Sequence, residues 1–183
     1  VAYMPKPGGD KIGRRRMDTH FIGFENLGAK FEYDSENENF KVTASKLKGT
    51  YMLLDEASVT GTANIVMAAV LAEGVTTIYN AACEPYLQQL CKMLNAMGAK
   101  ISGVGSNLLT IEGVTSLKGT SHRILPDMIE IGSWIGLAAM TQSDITIKNA
   151  GVAHLGIIPH TFERLGIHID VKGDDLHIPA QEN

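Results

Sequence analysis

The chain has 183 residues, with 16 Lys and Arg against 20 Asp and Glu, a formal charge of −4 and a pI near 5.8. Its 44% hydrophobic and 20% charged residues exclude a disordered or collagen-like chain. A chain this long buries roughly 70% of its extended surface without needing disulfides. The mildly acidic balance argues against a nucleic-acid partner or a polybasic membrane surface.

In chain order, the first segment of note is Lys6-Pro7-Gly8-Gly9-Asp10-Lys11-Ile12-Gly13-Arg14-Arg15-Arg16. Three glycines let the backbone approach a ligand, and five cations surround one carboxylate. It reads either as a solvated basic turn or as an anion-binding loop that carries an acid. Neither the Walker pattern nor GxGxxG is present. Asp18-Thr19-His20 then leads into Phe21, Phe24 and Leu27 at helical spacing, with Asp18 predicted as the N-cap. His20 reads as a surface histidine or as a proton relay or ligand contact.

Tyr51–Leu54 is a predicted strand. Ala57–Leu71 is a predicted helix, with Ile65, Val66, Ala69 and Val70 on one face and Gly74 as its stop. Its approach, Asp55-Glu56-Ala57-Ser58-Val59-Thr60-Gly61-Thr62, reads as ordinary capping by Ser58 or Thr62, or as an anion site at a helix N-terminus. Thr76–Tyr79 is a further strand. Pro85 opens a helix with Leu87, Leu90, Cys91 and Leu94 inward and Gly98 closing it. Lys100–Gly103 and Leu108–Ile111 are strands around a turn. Further on, Leu125-Pro126-Asp127-Met128-Ile129-Glu130 opens another helix, where Asp127 reads first as a cap and, with Glu130, alternatively as facing a cleft.

An internal repeat organises these elements. Leu27-Gly28-Ala29-Lys30-Phe31 recurs as Met97-Gly98-Ala99-Lys100-Ile101 and as Leu165-Gly166-Ile167-His168-Ile169. Leu47-Lys48-Gly49-Thr50 recurs as Leu117-Lys118-Gly119-Thr120, Ala68-Ala69 as Ala138-Ala139, and Asn80-Ala81 as Asn149-Ala150. All offsets fall between 68 and 70. The repeating unit is β-α-β-α-β-β, which makes the fold class α/β (α+β). A third copy is expected from about Ser121 to Asn183. The first copy is expected to lack its opening strand, helix and strand, so the sequence predicts a piece of a longer polypeptide with segments on both sides. Cys83 and Cys91 show no zinc spacing, Cys91 reads as a small buried hydrophobe, and the pair fits a reducing compartment. The most apolar run, Ile65–Ala72, is far short of the ~18 residues that span a bilayer. No secretory signal is visible.

Pro7 through Arg15 together with Asp18-Thr19-His20 resembles the catalytic loop of the UDP-N-acetylglucosamine enolpyruvyl transferases. Ser58-Val59, Leu71-Ala72-Glu73-Gly74, Asn80-Ala81-Ala82, Glu84-Pro85, Leu125-Pro126-Asp127 and Glu130 continue the likeness over essentially the whole chain. The resemblance implies two domains of three βαβαββ units, an inside-out α/β barrel arrangement with the active site between the domains. Residues 1–122 would supply one and a half units of the catalytic-loop domain, and 123–183 the first unit of the second domain.

The implied reaction moves the enolpyruvyl group of phosphoenolpyruvate to the 3-hydroxyl of UDP-N-acetylglucosamine and releases phosphate. It implies no cofactor, no metal, and a bacterial cytoplasmic setting in peptidoglycan synthesis. Asp10 matches the catalytic acid, usually Cys, and Arg15 the arginine that meets the phosphoenolpyruvate phosphate. The implied substrate-binding set is Arg15, Arg16, Met17, Asp18, Thr19, His20, Ser58, Val59 and Thr60. The sequence departs from the family pattern at Glu56, commonly Lys, at Thr60, usually Gly, and at Arg16, where Pro is frequent. The family's Lys-Asn pair, another arginine and the base for the sugar hydroxyl lie outside this chain, so it is not expected to turn over alone. The sibling that makes 5-enolpyruvylshikimate 3-phosphate and a non-catalytic paralogue are the alternatives, and the Pro-Gly-Gly-Asp loop favours the UDP-sugar enzyme.

Overall fold

Three helices of the chain end in the same way, and that ending explains why the repeat is visible in the sequence. The computed structural model describes residues 1–5 and 17–181. Gly28, Gly98 and Gly166 have φ of +98°, +104° and +87°. Each lets the chain turn left-handed just past a helix, where a Cβ would be strained. The next residue's N–H then reaches back to a helix carbonyl: Ala29 to Phe24 and Ala99 to Leu94, both at 3.0 Å, and Ile167 to Phe162 at 3.1 Å. The recurring Leu/Met-Gly pairs are therefore helix stops, each feeding a strand. Asn80 and Asn149 match in the same way, both at positive φ.

Backbone contacts divide the chain into Val1–His122 and Arg123–Asn183. The first unit runs β1 (Ala2–Pro5), α1 (Asp18–Asn26), β2 (Lys30–Asp34), β3 (Asn39–Thr43), β4 (Tyr51–Leu53), α2 (Val59–Ala69), β5 (Val75–Tyr79), α3 (Pro85–Ala96), β6 (Lys100–Ser102) and β7 (Leu108–Glu112). One sheet has the order β1-β3-β2 and is antiparallel throughout. The other has the order β4-β5-β7-β6, with β4 parallel to β5 and the remaining pairs antiparallel.

In β5 and β7 the inward positions alternate, so Thr76, Ile78, Leu109 and Ile111 are buried while their neighbours face out. Against that face α2 buries Ile65, Val66 and Ala69, and α3 buries Leu87, Cys91 and Leu94. Burial pushes the Cys91 thiol up to about 11, so it behaves as a hydrophobe, as its spacing suggests. Between α1 and the first sheet sits an aromatic cluster, with the Phe21 ring 4.8 Å from Phe31 and 5.0 Å from Phe40.

The second unit runs α4 (Met128–Met140), β8 (Ile145–Ile147), a 3-10 turn (Val152–His154), α5 (Ile158–Glu163), β9 (Asp170–Lys172) and β10 (Asp175–Ile178). Its antiparallel sheet has the order β8-β10-β9, the counterpart of β1-β3-β2 and of β5-β7-β6. Ile131, Ile135 and Ala138 of α4 are buried, as are Leu176 and Ile178 of β10. Ala68 and Ala138 lie on α2 and α4, at the same place in the repeat.

Three sequence expectations are corrected here. In the first copy β1 is the strand thought missing, and it pairs with β3 from Ala2–Val42 to Pro5–Asn39. Its four residues show no clear alternation and end on a proline, so pairing 34 to 40 residues away identifies it. The third copy has no opening strand among the described residues, since 121–126 joins no ladder. Pro126 cannot donate a ladder hydrogen bond there. The predicted 57–71 helix is also shorter, because Ser58 caps it at one end and Val70 at the other.

Candidate functional site

The first turn of α1 carries Asp18, Thr19 and His20. Met17, not Asp18, occupies the N-cap, and it makes no side-chain cap bond. Asp18 lies one residue further in, where its charge suits the positive end of the helix. Thr19 is only 4% exposed. His20 is half-buried.

The first turn of α2 carries Ser58, Val59 and Thr60. Ser58 has extended backbone, and its Oγ accepts from Gly61 N at 3.1 Å. Of the two capping candidates Ser58 is therefore the cap. The Thr62 hydroxyl instead donates to the Ser58 carbonyl at 2.7 Å and accepts from Ala82 N at 3.1 Å inside the core. Ser58 accepts through one lone pair and keeps its own O–H to donate. By helix geometry, the Val59 and Thr60 N–H groups precede the first intrahelical acceptor. At the corresponding point of the second unit Asp127 accepts from Ile129 N at 2.8 Å and Glu130 N at 3.3 Å, which makes it a cap.

These two turns, some 40 residues apart in sequence, meet side by side. Thr19 Oγ1 donates to Glu56 Oε1 at 3.0 Å. Asn64 Nδ2 donates to His20 Nδ1 at 2.9 Å, and His20 Nε2 lies 3.5 Å from Thr60 Oγ1. The approach depends on two glycines. A Cβ on Gly61 would stand 2.8 Å from Thr19 Cγ2, and one on Gly23 would fall onto the Ile65 side chain. Thus Met17–His20 and Ser58–Thr60 form one surface, although either helix read alone suggests only a cap.

Beside them a pocket of about 310 Å³ is lined by Met4, Met17, His20, Phe21, Phe24, Phe31 and Asn64. Its wall is apolar, with an imidazole and an amide as the polar groups. Ser58, Val59 and Thr60 do not line it. Glu56 and Asn64 were not among the expected site residues. Asn64 is four residues beyond Thr60, hence on the same helix face, and that spacing was a usable signal. Asp10, Arg15 and Arg16 lie outside the described residues. Among the described residues no group of three or more His, Cys, Asp or Glu is placed to hold a metal ion, and no helix is long and apolar enough to cross a membrane.

Residues 3–182 match the family described as EPSP synthase (3-phosphoshikimate 1-carboxyvinyltransferase). The chain is 70% identical over 181 residues to the UDP-N-acetylglucosamine 1-carboxyvinyltransferase of Bacteroides thetaiotaomicron, covering 99% of this chain and 42% of that protein. The Porphyromonas gingivalis protein of the same name is 68% identical over 182 residues, again over 42% of its length. The chain thus spans less than half the length of these relatives. Among solved structures, the enolpyruvyl transferase NikO from Streptomyces tendae superposes with a TM-score of 0.77 at 17% identity, over 88% of this chain and 41% of that one. An EPSP synthase from Acinetobacter baumannii gives 0.63 at 21%, over 98% and 43%. These two share the fold. With its sequence matched from residue 3 to residue 182, the chain belongs to the EPSP synthase family.

Proposed function

We propose that this chain is the central part of a transferase that moves the enolpyruvyl group of phosphoenolpyruvate to the 3-hydroxyl of UDP-N-acetylglucosamine. The observation that carries this reading is the 70% identity over 181 residues to a protein of that name. Relatives down to 51% identity bear the same name. Val1–His122 then belongs to the catalytic-loop domain and Arg123–Asn183 opens the second domain, with further segments of the same polypeptide completing a two-domain barrel. The enzyme works in the bacterial cytoplasm, in peptidoglycan synthesis and so in cell-wall biogenesis, cell shape, growth and division.

In this mechanism the paired turns hold the acceptor substrate. Ser58, Val59 and Thr60 offer a hydroxyl and helix N-terminal N–H groups to an anionic diphosphate. Met17, Asp18, Thr19 and His20 contact the nucleotide sugar from α1, and Arg15 and Arg16 add cations just before it. Arg15 also meets the phosphoenolpyruvate phosphate. Asp10 delivers a proton to the methylene carbon of phosphoenolpyruvate, and the sugar 3-hydroxyl, losing its proton to a base elsewhere in the polypeptide, adds to the adjacent carbon. Loss of phosphate from that adduct, with return of a methyl proton, leaves the enolpyruvyl ether. No cofactor is needed, because every step is a proton transfer, an addition or an elimination.

The test is phosphate release by the full-length protein with phosphoenolpyruvate and either UDP-N-acetylglucosamine or shikimate 3-phosphate. Turnover with the nucleotide sugar alone is expected. Turnover with shikimate 3-phosphate instead would assign the sibling activity, and turnover with neither would leave a non-catalytic paralogue.

A further inference from the structure

We propose that Glu56 is a positioning residue for the nucleotide-sugar site, an inference that rests on the transferase reading above. The residues around it form a closed ring. Thr19 Oγ1 donates to the Glu56 carboxylate at 3.0 Å. The Glu56 backbone carbonyl accepts from Ser58 N at 2.9 Å. Ser58 Oγ accepts from Gly61 N at 3.1 Å. Gly61, lacking a Cβ, lies against the methyl of Thr19. The ring thus returns to its start and joins α1 to α2 through their first turns.

Three properties give Glu56 the central place in it. Its side chain is exposed while its partner Thr19 is buried, so without the carboxylate the largely buried Thr19 hydroxyl loses its protein acceptor. Its backbone holds Ser58, so a shift of Glu56 moves the cap itself. Its negative charge sits ahead of the positive end of α2, where a carboxylate is favoured. A bare acid beside a diphosphate site would repel the ligand. Here the Thr19 hydrogen bond engages Oε1 toward α1, and the acid acts as an anchor rather than as a ligand contact. The residue commonly Lys in the resembled family has become, in this chain, part of the frame that sets the distance between the two binding turns.

The experiment is steady-state kinetics on the full-length enzyme containing this segment, with Glu56→Ala, Glu56→Gln, Thr19→Val and the Glu56→Ala/Thr19→Val pair. Loss of one hydrogen bond that orders a binding surface predicts a nucleotide-sugar KM raised about five- to tenfold in Glu56→Ala, with kcat and the phosphoenolpyruvate KM within about twofold. Glu56→Gln retains an acceptor oxygen and should restore most of the affinity. The double variant should be no worse than the poorer single one, because both break the same contact. A lowered Tm with unchanged KM would assign Glu56 a purely structural role and overturn the proposal. So would Glu56→Gln as weak as Glu56→Ala, which would make the charge the active feature, or fully additive effects in the pair. Should the native enzyme fail to use UDP-N-acetylglucosamine while its Tm is normal, the transferase reading falls, and the positioning role with it.

Discussion

Asp10 stands where the resembled loop usually has Cys, and that exchange alters the chemistry available to the loop. A free Asp has a pKa of ~3.9 and is ionised at neutral pH. To donate a proton it must be desolvated or brought near other anions, as phosphoenolpyruvate would do, while Lys11, Arg14 and Arg15 of the same segment would oppose that rise if they turn toward it. A carboxylate is also a far poorer nucleophile toward an epoxide than a thiolate. The full-length enzyme is therefore expected to be active and to resist fosfomycin, and Asp10→Cys to restore sensitivity. Asp10→Asn should lose most of kcat with substrate binding kept. Covalent modification of the native loop by fosfomycin, seen by mass spectrometry, would overturn the role of Asp10. Ser58 answers to a different measurement. Its hydroxyl caps α2, so Ser58→Ala should cost about 1 kcal/mol of stability in a denaturant melt. If it also holds the nucleotide sugar, the KM for that substrate rises several-fold; an unchanged KM would reduce Ser58 to the cap alone.

At the scale of elements, the α1–α2 contact is set by what is missing from two side chains. Placing Ala in a helix in place of Gly usually gains about 1 kcal/mol. At Gly23 the added methyl would land on Ile65, a fully buried side chain, and overpacking costs about 1–3 kcal/mol. Gly23→Ala is thus expected to destabilise the protein despite its better helix propensity, and Ile65→Val in the same chain to recover part of the loss. A more stable Gly23→Ala would show that α1 can move away from α2. The second unit carries an electrostatic tie of its own. Lys148 beside Asp175, with Asn149 N donating to the same carboxyl at 2.9 Å, holds it below the usual carboxylate range. Hydrogen bonds from His177 and His168 lower Asp170 likewise. A depressed folded pKa stabilises the fold above the unfolded value of ~3.9 and loses that contribution as pH falls through the folded pKa. Melting temperature should therefore drop as pH is taken from 5 toward 2, and Asp175→Asn should flatten that acid limb. An unchanged slope would show that the exposed pair contributes nothing.

For the molecule as a whole, the measure that matters is how much of the catalytic apparatus these 183 residues hold. The chain covers 42% of the Bacteroides relative. If the base for the sugar hydroxyl lies elsewhere in the polypeptide, the isolated chain should release no phosphate from phosphoenolpyruvate in the presence of UDP-N-acetylglucosamine, at any concentration. Substrate-dependent turnover by the isolated chain would place the missing base within it and revise the mechanism.

Local signals were enough for the helix ends that mark the repeat. Gly28, Gly98 and Gly166 announce helix stops because a left-handed residue is required there, and that requirement is local to one turn of chain. Pro85 at the first turn of α3 and Asp127 at its cap are legible for the same reason, whereas the cap of α2 stood between Ser58 and Thr62 until the structure chose Ser58. The repeat follows from these signals, and the likeness of the loop and Ser58 segments gave the family. Contacts between distant segments were not legible. That β1 is a strand depends on β3, and that Thr19 binds Glu56 depends on two glycines letting α1 and α2 meet. A cap, a stop or a turn is decided by the backbone needs of a few neighbouring residues, which the amino-acid sequence states directly. Which two turns share a surface is decided by close packing, where a methyl group's worth of space selects one approach over another.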